Sequence, residues 1–465
     1  MAKLKKTMFR EYDLRGRVND EELNEKTVEI IGRGFGTFLA KRGVQKIVVG
    51  YDAREYSERL EKALIRGILS TGCDIIEMGQ LIVPILYFSQ YHFKIKGIAM
   101  VTASHNPNGW SGFKLGYDYS TTLLSAEIQE LYQIIEKENF IKGQGKFKKY
   151  DRIIQDYQNF IVTKIKIAKP FKIVVNCGNG TAGPIVPPIL RVVGCQVVEQ
   201  NCQIDFSFPH YEPNPSALEF LEDLSQKVKE EKAGLGFGFD GDGDRLGVVD
   251  DQGKIVWPDL VLALLARPLL KNHPGGKVVF DVKSSRALIE DIKAHGGQPI
   301  IWITGHSYLK QKAKEVKAII AGEKSGHLFY RYDFFGYDDA LFNGLKLLEY
   351  LSEENKPLSE VLKTLPQYIT SPAWHLDCPD EKKYQVVEKI TQEFKKKFGP
   401  ERVIDINGAR VEFDDGWGLV RASSNLPYLV LVFEAKTEKR LKEIEEIFRQ
   451  ELEKYPEVGK EWKSG

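Results

Sequence analysis

Val101-Thr102-Ala103-Ser104-His105-Asn106-Pro107 ends a short apolar run, Gly97-Ile98-Ala99-Met100-Val101, by setting a hydroxyl beside an imidazole. What precedes that run decides the fold, because it recurs twice more along the chain. Ile47-Val48-Val49 opens into Asp52-Ala53-Arg54, Ile173-Val174-Val175 into Asn176-Cys177-Gly178-Asn179-Gly180, and Val278-Val279-Phe280 into Asp281-Val282-Lys283-Ser284-Ser285-Arg286. Each reads as a buried strand running into a polar loop. Further on, Gly72-Cys73-Asp74-Ile75-Ile76, Gly194-Cys195-Gln196-Val197-Val198 and Gly296-Gly297-Gln298-Pro299-Ile300-Ile301 set a helix-ending glycine before a second strand. Third strands follow as Gly97 to Val101, Gly234-Leu235-Gly236-Phe237-Gly238-Phe239 and Ala318-Ile319-Ile320-Ala321. Strand, helix, strand, helix, strand in triplicate predicts three similar α/β domains with mixed, largely parallel sheets.

From about residue 366 the pattern changes. Arg402-Val403-Ile404-Asp405-Ile406, Ala409-Arg410-Val411-Glu412-Phe413, Gly418-Leu419-Val420-Arg421-Ala422 and Tyr428 to Phe433 read as strands joined by short turns, flanked by helices near 381–397 and 437–454. That predicts a C-terminal α+β domain with an antiparallel sheet. The expected domains are 1–150, 151–253, 254–365 and 366–465, around one central cleft.

Composition narrows the function classes. A chain of 465 residues is too long for one core, and 42% hydrophobic with 28% charged residues is ordinary for a folded soluble protein. The formal net charge of +1 gives no global field for nucleic acid or an anionic membrane, so any attraction for anions is local. Met1-Ala2-Lys3-Leu4-Lys5-Lys6 leads into polar residues without an apolar signal core, and no apolar run reaches membrane-spanning length. A cytoplasmic protein without nucleic-acid or membrane partners is expected, as a monomer or weak homodimer. Cys73, Cys177, Cys195, Cys202 and Cys378 are odd in number and form no CxxC pair, which fits buried reduced thiols.

Chemistry collects at the ends of the three third strands. A lone Ser-His pair is ordinarily a solvated turn. Ser104, however, sits at a strand end in a loop of Asn106, Pro107, Asn108 and Gly109, where an exposed hydroxyl can carry a covalent group. Serine hydrolysis would need a G-x-S-x-G elbow and a carboxylate-held base, and neither is present. Phosphoryl transfer remains, since it asks mainly for positioning and cations.

The second strand end carries Asp240-Gly241-Asp242-Gly243-Asp244-Arg245. Three carboxylates would repel the pyrophosphate of a dinucleotide. An EF-hand would need glycine and glutamate where Arg245 and Asp251 stand, and a D-x-D-x-T nucleophile would need threonine or valine where Gly243 stands. Oxygen donors at alternate positions on a glycine-loosened loop fit Mg²⁺ with open positions, and Arg245 is placed to neutralise a phosphate. The third strand end, Gly322-Glu323-Lys324-Ser325-Gly326-His327, is either a solvated loop or a sugar reader. In the second case Glu323 and Ser325 bracket adjacent hydroxyls and His327 carries a proton, with a core histidine as the competing account of His327. Arg421-Ala422-Ser423-Ser424-Asn425 reads as surface chemistry or as a phosphate cradle, and Arg15 in Phe9 to Gly16 as a solvated residue or a second phosphate contact.

Together these motifs resemble the α-D-phosphohexomutase family, most closely its phosphomannomutase/phosphoglucomutase branch. The resemblance runs in order through Tyr12-Asp13-Leu14-Arg15-Gly16, Thr102 to Pro107, Gly112-Phe113-Lys114, Asp240 to Arg245, Thr304-Gly305-His306-Ser307, Gly322 to His327, Phe335-Gly336-Tyr337-Asp338-Asp339 and Arg421-Ala422-Ser423. It implies a phosphoserine at Ser104, Mg²⁺ on Asp240, Asp242, Asp244 and Ser104, sugar contacts from Glu323 and Ser325, and a distal phosphate on Arg421 and Ser423 with Ser424 and Asn425. It further implies Lys114 and His327 as general acid and base, with Arg15, His105, Arg245, Lys283 and His306 lining the site. One departure stands out: Ser423-Ser424-Asn425 where the branch more often has Ser-Asn-Thr.

The implied activity is an isomerase that interconverts hexose 1-phosphate and hexose 6-phosphate, for mannose and glucose, through a hexose 1,6-bisphosphate that turns around in the cleft. Its partner is a small phosphosugar. Two rivals are a phosphoglucosamine mutase, which typically has Arg-Pro-Ser-Gly-Thr where this chain has Arg421-Ala422-Ser423-Ser424-Asn425, and a non-catalytic phosphosugar-binding protein, which would have lost Ser104 or an aspartate.

Overall fold

A computed structural model describes residues 4–11, 13–423 and 426–464. Its first three sheets share one plan. A central strand is flanked in parallel by the second and third strands of the same unit, and the third strand turns back into an antiparallel neighbour. In the first sheet the central Lys46–Tyr51 pairs in parallel with Asp74–Gln80 and Gly97–Val101, and Gly97–Val101 pairs antiparallel with Trp110–Gly116. In the second, Lys172–Asn176 lies between Gln196–Gln200 and Leu235–Phe239, with Leu246–Asp250 antiparallel to the latter. In the third, Lys277–Asp281 lies between Gln298–Trp302 and Ile320–Gly322, with Leu328–Tyr330 antiparallel.

The repeat read from the sequence is therefore present, and each copy carries at least one more antiparallel strand than the apolar runs disclosed, the second also Ile255–Val256. The first sheet gains two more strands. Leu14–Arg17, which overlaps the charged stretch Phe9 to Gly16, pairs antiparallel with Trp110–Gly116, and Phe147–Lys149 adds in parallel to Asp74–Gln80. The central strands are buried on both faces: Ile47, Val48, Val49, Val174, Val175, Val278, Val279 and Phe280 are fully covered. Each such side chain contributes about 1.5–3 kcal/mol relative to exposure.

The C-terminal sheet is antiparallel throughout, in the order Val403–Ile404, Ala409–Phe413, Gly416–Ala422, Tyr428–Ala435, Trp374–Asp377, Lys463–Ser464, with Ile369–Thr370 also on Tyr428–Ala435. Helices Asp380–Phe398 and Glu438–Leu452 cover it.

One apolar core runs through the first three units, joining Met100 and Leu86 to Ile173, Phe237, Val278 and Phe280, whereas the C-terminal sheet has its own around Leu376, Ile390, Val411 and Phe448. The fourth unit is held to the third by a small apolar cluster of Val282 and Ile301 with Trp417, Leu419, Val430 and Val432, and by polar contacts. Buried Arg410 donates to the carbonyls of Val282 (2.8 Å) and Ser284 (2.7 Å) and stacks on Trp417, while buried Glu434 accepts from Trp417 Nε1 (2.8 Å) and the Arg286 amide (2.8 Å). No helix among the described residues is long and apolar enough to cross a membrane.

Candidate active site

The loop joining each third strand to its antiparallel partner lies at the carboxyl end of the parallel strands, and the three loops converge. Residues 102–109 bring Ser104, residues 240–245 the aspartates, and residues 323–327 Glu323 and His327. Ser104 has φ +52°, the left-handed region that costs a side-chain-bearing residue about 1–2 kcal/mol, so its surroundings must impose the conformation. Its amide donates to Thr102 Oγ1 (2.8 Å). Buried Arg54 forks onto the carbonyls of Ser104 (2.9 Å), Asn106 (2.6 Å) and Pro107 (3.2 Å).

Two expectations need correction here. Ser104 is 1% exposed rather than an exposed hydroxyl, because the aspartate loop of the second unit closes over it. The glycines of that loop serve close packing, not looseness. A Cβ at Gly241 would stand 2.4 Å from the Ser104 carbonyl, and Gly243 has φ +73° with its Cβ position 2.8 Å from Ile82 Cγ2. Only glycine lets these two loops touch.

Asp240, Asp242 and Asp244 are fully buried and bring carboxylate oxygens within 4.8 Å of one another. Asp240 accepts from the amides of Asp244 (3.0 Å) and Arg245 (3.1 Å) and from Ser104 Oγ (2.9 Å). Asp242 Oδ2 accepts from Thr102 Oγ1 (3.0 Å) and Lys114 Nζ (2.7 Å), and Lys114 also bonds Asp244 Oδ2. Asp242 Oδ1 and Asp244 Oδ1 are buried without a hydrogen-bond partner. Burial, then the charges of Asp242 and Asp244, push the Asp240 carboxyl well above its ordinary value. Burial opposes ionisation of Asp242 too, but Lys114 overcomes it and holds that carboxyl down to about 2. Burial likewise opposes the Lys114 ammonium, and the surrounding aspartates raise its pKa nonetheless. Three buried carboxylates with orphaned oxygens fit a hard divalent cation.

Beside them opens a cavity of about 500 Å³ lined by Arg15, Ser104, His105, Lys114, Arg245, His306, Glu323 and His327 among others. Ser325 Oγ donates to Glu323 Oε1 (2.8 Å) and Lys283 Nζ lies 4.0 Å from the same oxygen, while Glu323 Oε2 is buried with no hydrogen-bond partner, as an acceptor for a hydroxyl would be. The alternation read in the sequence thus sets Glu323 and Ser325 together. His327 is buried, but within the site: its Nε2 accepts from Arg245 Nε (3.0 Å) and its Nδ1 lies 2.9 Å from Asp338 Oδ2.

His105, with Nδ1 3.2 Å from Ser104 Oγ, has its pKa lowered well below the usual value by burial and then by Arg245 and Arg15. Burial and then Lys310 do the same to His306, which stacks on His327 at 5.0 Å. Arg15 pairs with Asp13 (2.5 Å) and reaches Asn106. Arg421 and Ser423 lie buried at the end of Gly416–Ala422, and Ser423 Oγ accepts from the amide of Leu426 (3.3 Å), which lines the same cavity. Ser424 and Asn425, expected in the phosphate cradle, and Tyr12 of the amino-terminal motif lie outside the described residues.

The sequence reading missed Arg10, Trp110, Glu212 and Asn214, all on the cavity wall. Arg10 stands inside the charged amino-terminal stretch. Glu212 and Asn214 flank Pro213 in a loop that the repeat pattern does not include.

Comparison with known proteins gives matches along almost the whole chain. The four family models describing phosphoglucomutase/phosphomannomutase α/β/α domains I, II and III and the C-terminal domain match residues 6–142, 151–253, 257–368 and 375–451. The phosphomannomutase/phosphoglucomutase of Pseudomonas aeruginosa is 40% identical over 446 residues, 96% of this chain and 95% of that protein. The phosphoglucomutase of Neisseria meningitidis serogroup A is 40% identical over 464 residues, covering 98% and 99%. A solved structure of a phosphoglucomutase/phosphomannomutase family protein from Burkholderia thailandensis superposes with a TM-score of 0.91 at 36% identity, over 97% of this chain and 98% of that one.

Proposed function

Because the chain belongs to the phosphoglucomutase/phosphomannomutase family, whose members are phosphohexomutase isomerases, we propose that Ser104 carries the phosphoryl group exchanged between O1 and O6 of a hexose. The observation that carries this assignment is the placement of Ser104. Its Oγ lies 2.9 Å from Asp240 Oδ2, on a backbone held in the left-handed region, at the floor of a cavity shared with Lys114, Arg245, Glu323 and His327.

In the forward transfer a sugar hydroxyl attacks the phosphorus on Ser104. The bond from phosphorus to Oγ breaks as the bond to the sugar oxygen forms, and the product is a hexose 1,6-bisphosphate. The proton of the attacking hydroxyl needs a lone pair. His327 Nε2 offers one once the Arg245 N–H that it accepts turns to a phosphate oxygen, whereas Lys114 is held as an ammonium by its aspartates. His327 is thus assigned as the base and Lys114 as the donor that protonates the departing Oγ, with the roles exchanged in the return transfer.

Asp240, Asp242, Asp244 and Ser104 would hold Mg²⁺, which supplies charge neutralisation at the transferring group. Arg245 and Arg15 neutralise phosphate oxygens, and Glu323 with Ser325 grips two adjacent hydroxyls. Arg421 and Ser423 hold the far phosphate. Turning the bisphosphate end for end then presents its other phosphate to Ser104. An adjacent pair of hydroxyls suits this, because their exchange of places nearly preserves the pattern that Glu323 meets.

The test is a turnover comparison on mannose 1-phosphate, glucose 1-phosphate and glucosamine 6-phosphate, each primed with glucose 1,6-bisphosphate. Faster conversion of the hexose phosphates supports this branch, and a preference for glucosamine 6-phosphate moves the chain to the phosphoglucosamine mutases. Wild-type turnover by Ser104→Ala removes the serine from the mechanism.

A further inference from the structure

Two buried cysteines of the second unit meet outside the cavity. Cys177 Sγ and Cys202 Sγ lie 3.6 Å apart, just past the carboxyl ends of the neighbouring parallel strands Lys172–Asn176 and Gln196–Gln200. Asn176 and Gln200 are register partners, and the cysteines follow them within two residues. Adjacent strands run about 4.8 Å apart, inside the range of Cα separations that a disulfide spans. Cys177 is fully covered, whereas Cys202 is 7% exposed and turns its Sγ to the carbonyls of Val175 and Gln200 at 3.3 Å.

We propose that Cys177 and Cys202 are an oxidation site: they form a reversible disulfide on exposure to a peroxide, and the disulfide slows the enzyme by displacing the aspartate loop. To bond, the sulfurs must close from 3.6 Å to about 2.05 Å. Cys202 has little room to yield, since a Cβ at Gly183 would already stand 1.9 Å from its carbonyl oxygen. The movement falls on Cys177, whose carbonyl accepts from the Gly180 amide (2.8 Å). The next residue, Thr181, donates its amide to the Gly241 carbonyl (3.0 Å) and accepts on Oγ1 from the Ala53 amide (2.9 Å). Gly241 stands between Asp240 and Asp242, with its Cβ position 2.4 Å from the Ser104 carbonyl. A shift at Cys177 therefore has a packed route to the aspartates and to Ser104.

Burial pushes the Cys177 thiol well above its ordinary value, so Cys202 is the sulfur that meets the oxidant first. As a thiolate it attacks hydrogen peroxide: an S–O bond forms, the O–O bond breaks, and the departing hydroxide takes up the proton that Cys202 released, leaving as water. The Cys177 sulfur then attacks the Cys202 sulfur. The S–S bond forms, the S–O bond breaks, and the second hydroxide leaves as water with the Cys177 proton. Two thiols are oxidised and one peroxide is reduced to two waters. A dithiol reverses the step by thiol–disulfide exchange.

The experiment is peptide mapping with differential thiol alkylation after graded hydrogen peroxide, beside turnover of glucose 1-phosphate before and after dithiothreitol. Wild type is expected to lose the free thiols of Cys177 and Cys202 together, to give one linked peptide pair, and to fall in kcat by at least about tenfold, with recovery on reduction. Recovery separates the disulfide from methionine sulfoxide, which dithiothreitol leaves in place. Cys202→Ser, whose hydroxyl can donate to the carbonyls that Cys202 faces, is expected to keep the turnover of the reduced wild type and to lose the reversible response to peroxide. Cys177 and Cys202 thiols that stay open to alkylation until the protein unfolds, a disulfide that leaves kcat unchanged, or reversible inhibition of Cys202→Ser like that of wild type would each overturn the proposal. The linkage is read by mass whichever sugar phosphate the cleft prefers.

Discussion

Lys114 Nζ and Asp242 Oδ2 meet at 2.7 Å across 128 residues, one on a strand of the first sheet and the other in the loop of the second. That ion pair lies in the candidate cation site and explains why Asp242 stays ionised despite full burial. Asp242→Asn should weaken Mg²⁺ binding by at least about tenfold and slow phosphoryl transfer with it. Calorimetric titration of Mg²⁺ into both proteins checks this, and equal affinity with equal rate would mean that the aspartates are structural.

Arg54 is the clamp on the Ser104 loop, with three carbonyls on one guanidinium. Arg54→Lys keeps a charge beside Asp52 but loses the fork. A shift of the serine of about 1 Å is enough for kcat to fall about a hundredfold, while KM, set by residues elsewhere in the cavity, stays near wild type. A large rise in KM with kcat intact would place the clamp in binding instead.

Glu61, on helix Ser57–Leu69, is 1% exposed and has a buried oxygen without a hydrogen-bond partner. Burial, then Glu77 and Glu58, push its pKa from 4.5 up to about 9. The folded protein therefore keeps a proton that the unfolded chain releases, so stability is fullest below pH 4.5 and falls as pH rises toward 9. Glu61→Gln should raise thermal stability at about pH 8 by on the order of 1–3 kcal/mol and leave it nearly unchanged at about pH 5. Thermal melts of both proteins at the two pH values decide it; a gap independent of pH would place the effect in packing.

Arg421 stands on a unit with its own core, which touches the first unit through an exposed Tyr384 to Glu11 hydrogen bond of 3.2 Å. A sugar phosphate bridging the cleft should draw that unit in, and small-angle scattering with glucose 1-phosphate should show a smaller radius of gyration. Arg421→Ala should abolish the compaction and raise KM about 10–100-fold, with thermal stability little changed. Undiminished compaction in the variant would contradict a ligand-gripping role for Arg421.

The threefold repeat was legible because strands buried on both faces must be written as apolar runs, and runs such as Ile173-Val174-Val175 and Val278-Val279-Phe280 stand out from their polar ends. Leu14–Arg17 was not legible, since Arg15 and Arg17 alternate with buried positions on an edge strand and break any apolar run. Ser104 and the aspartates announced themselves by residue type and by their place at strand ends. The burial of Ser104 did not, because it comes from Gly241 of another unit, and a glycine does not say which neighbour it makes room for.

The central claim is that Ser104 is the phosphoryl carrier. Intact-protein mass spectrometry with peptide mapping, before and after exposure to glucose 1-phosphate, tests it most directly. One phosphoryl group is expected on Ser104, leaving with the appearance of glucose 1,6-bisphosphate and returning when the bisphosphate is supplied in excess. A protein that turns over hexose phosphates while Ser104 stays unmodified in the presence of the bisphosphate, or that carries its phosphate on another residue, would contradict the account.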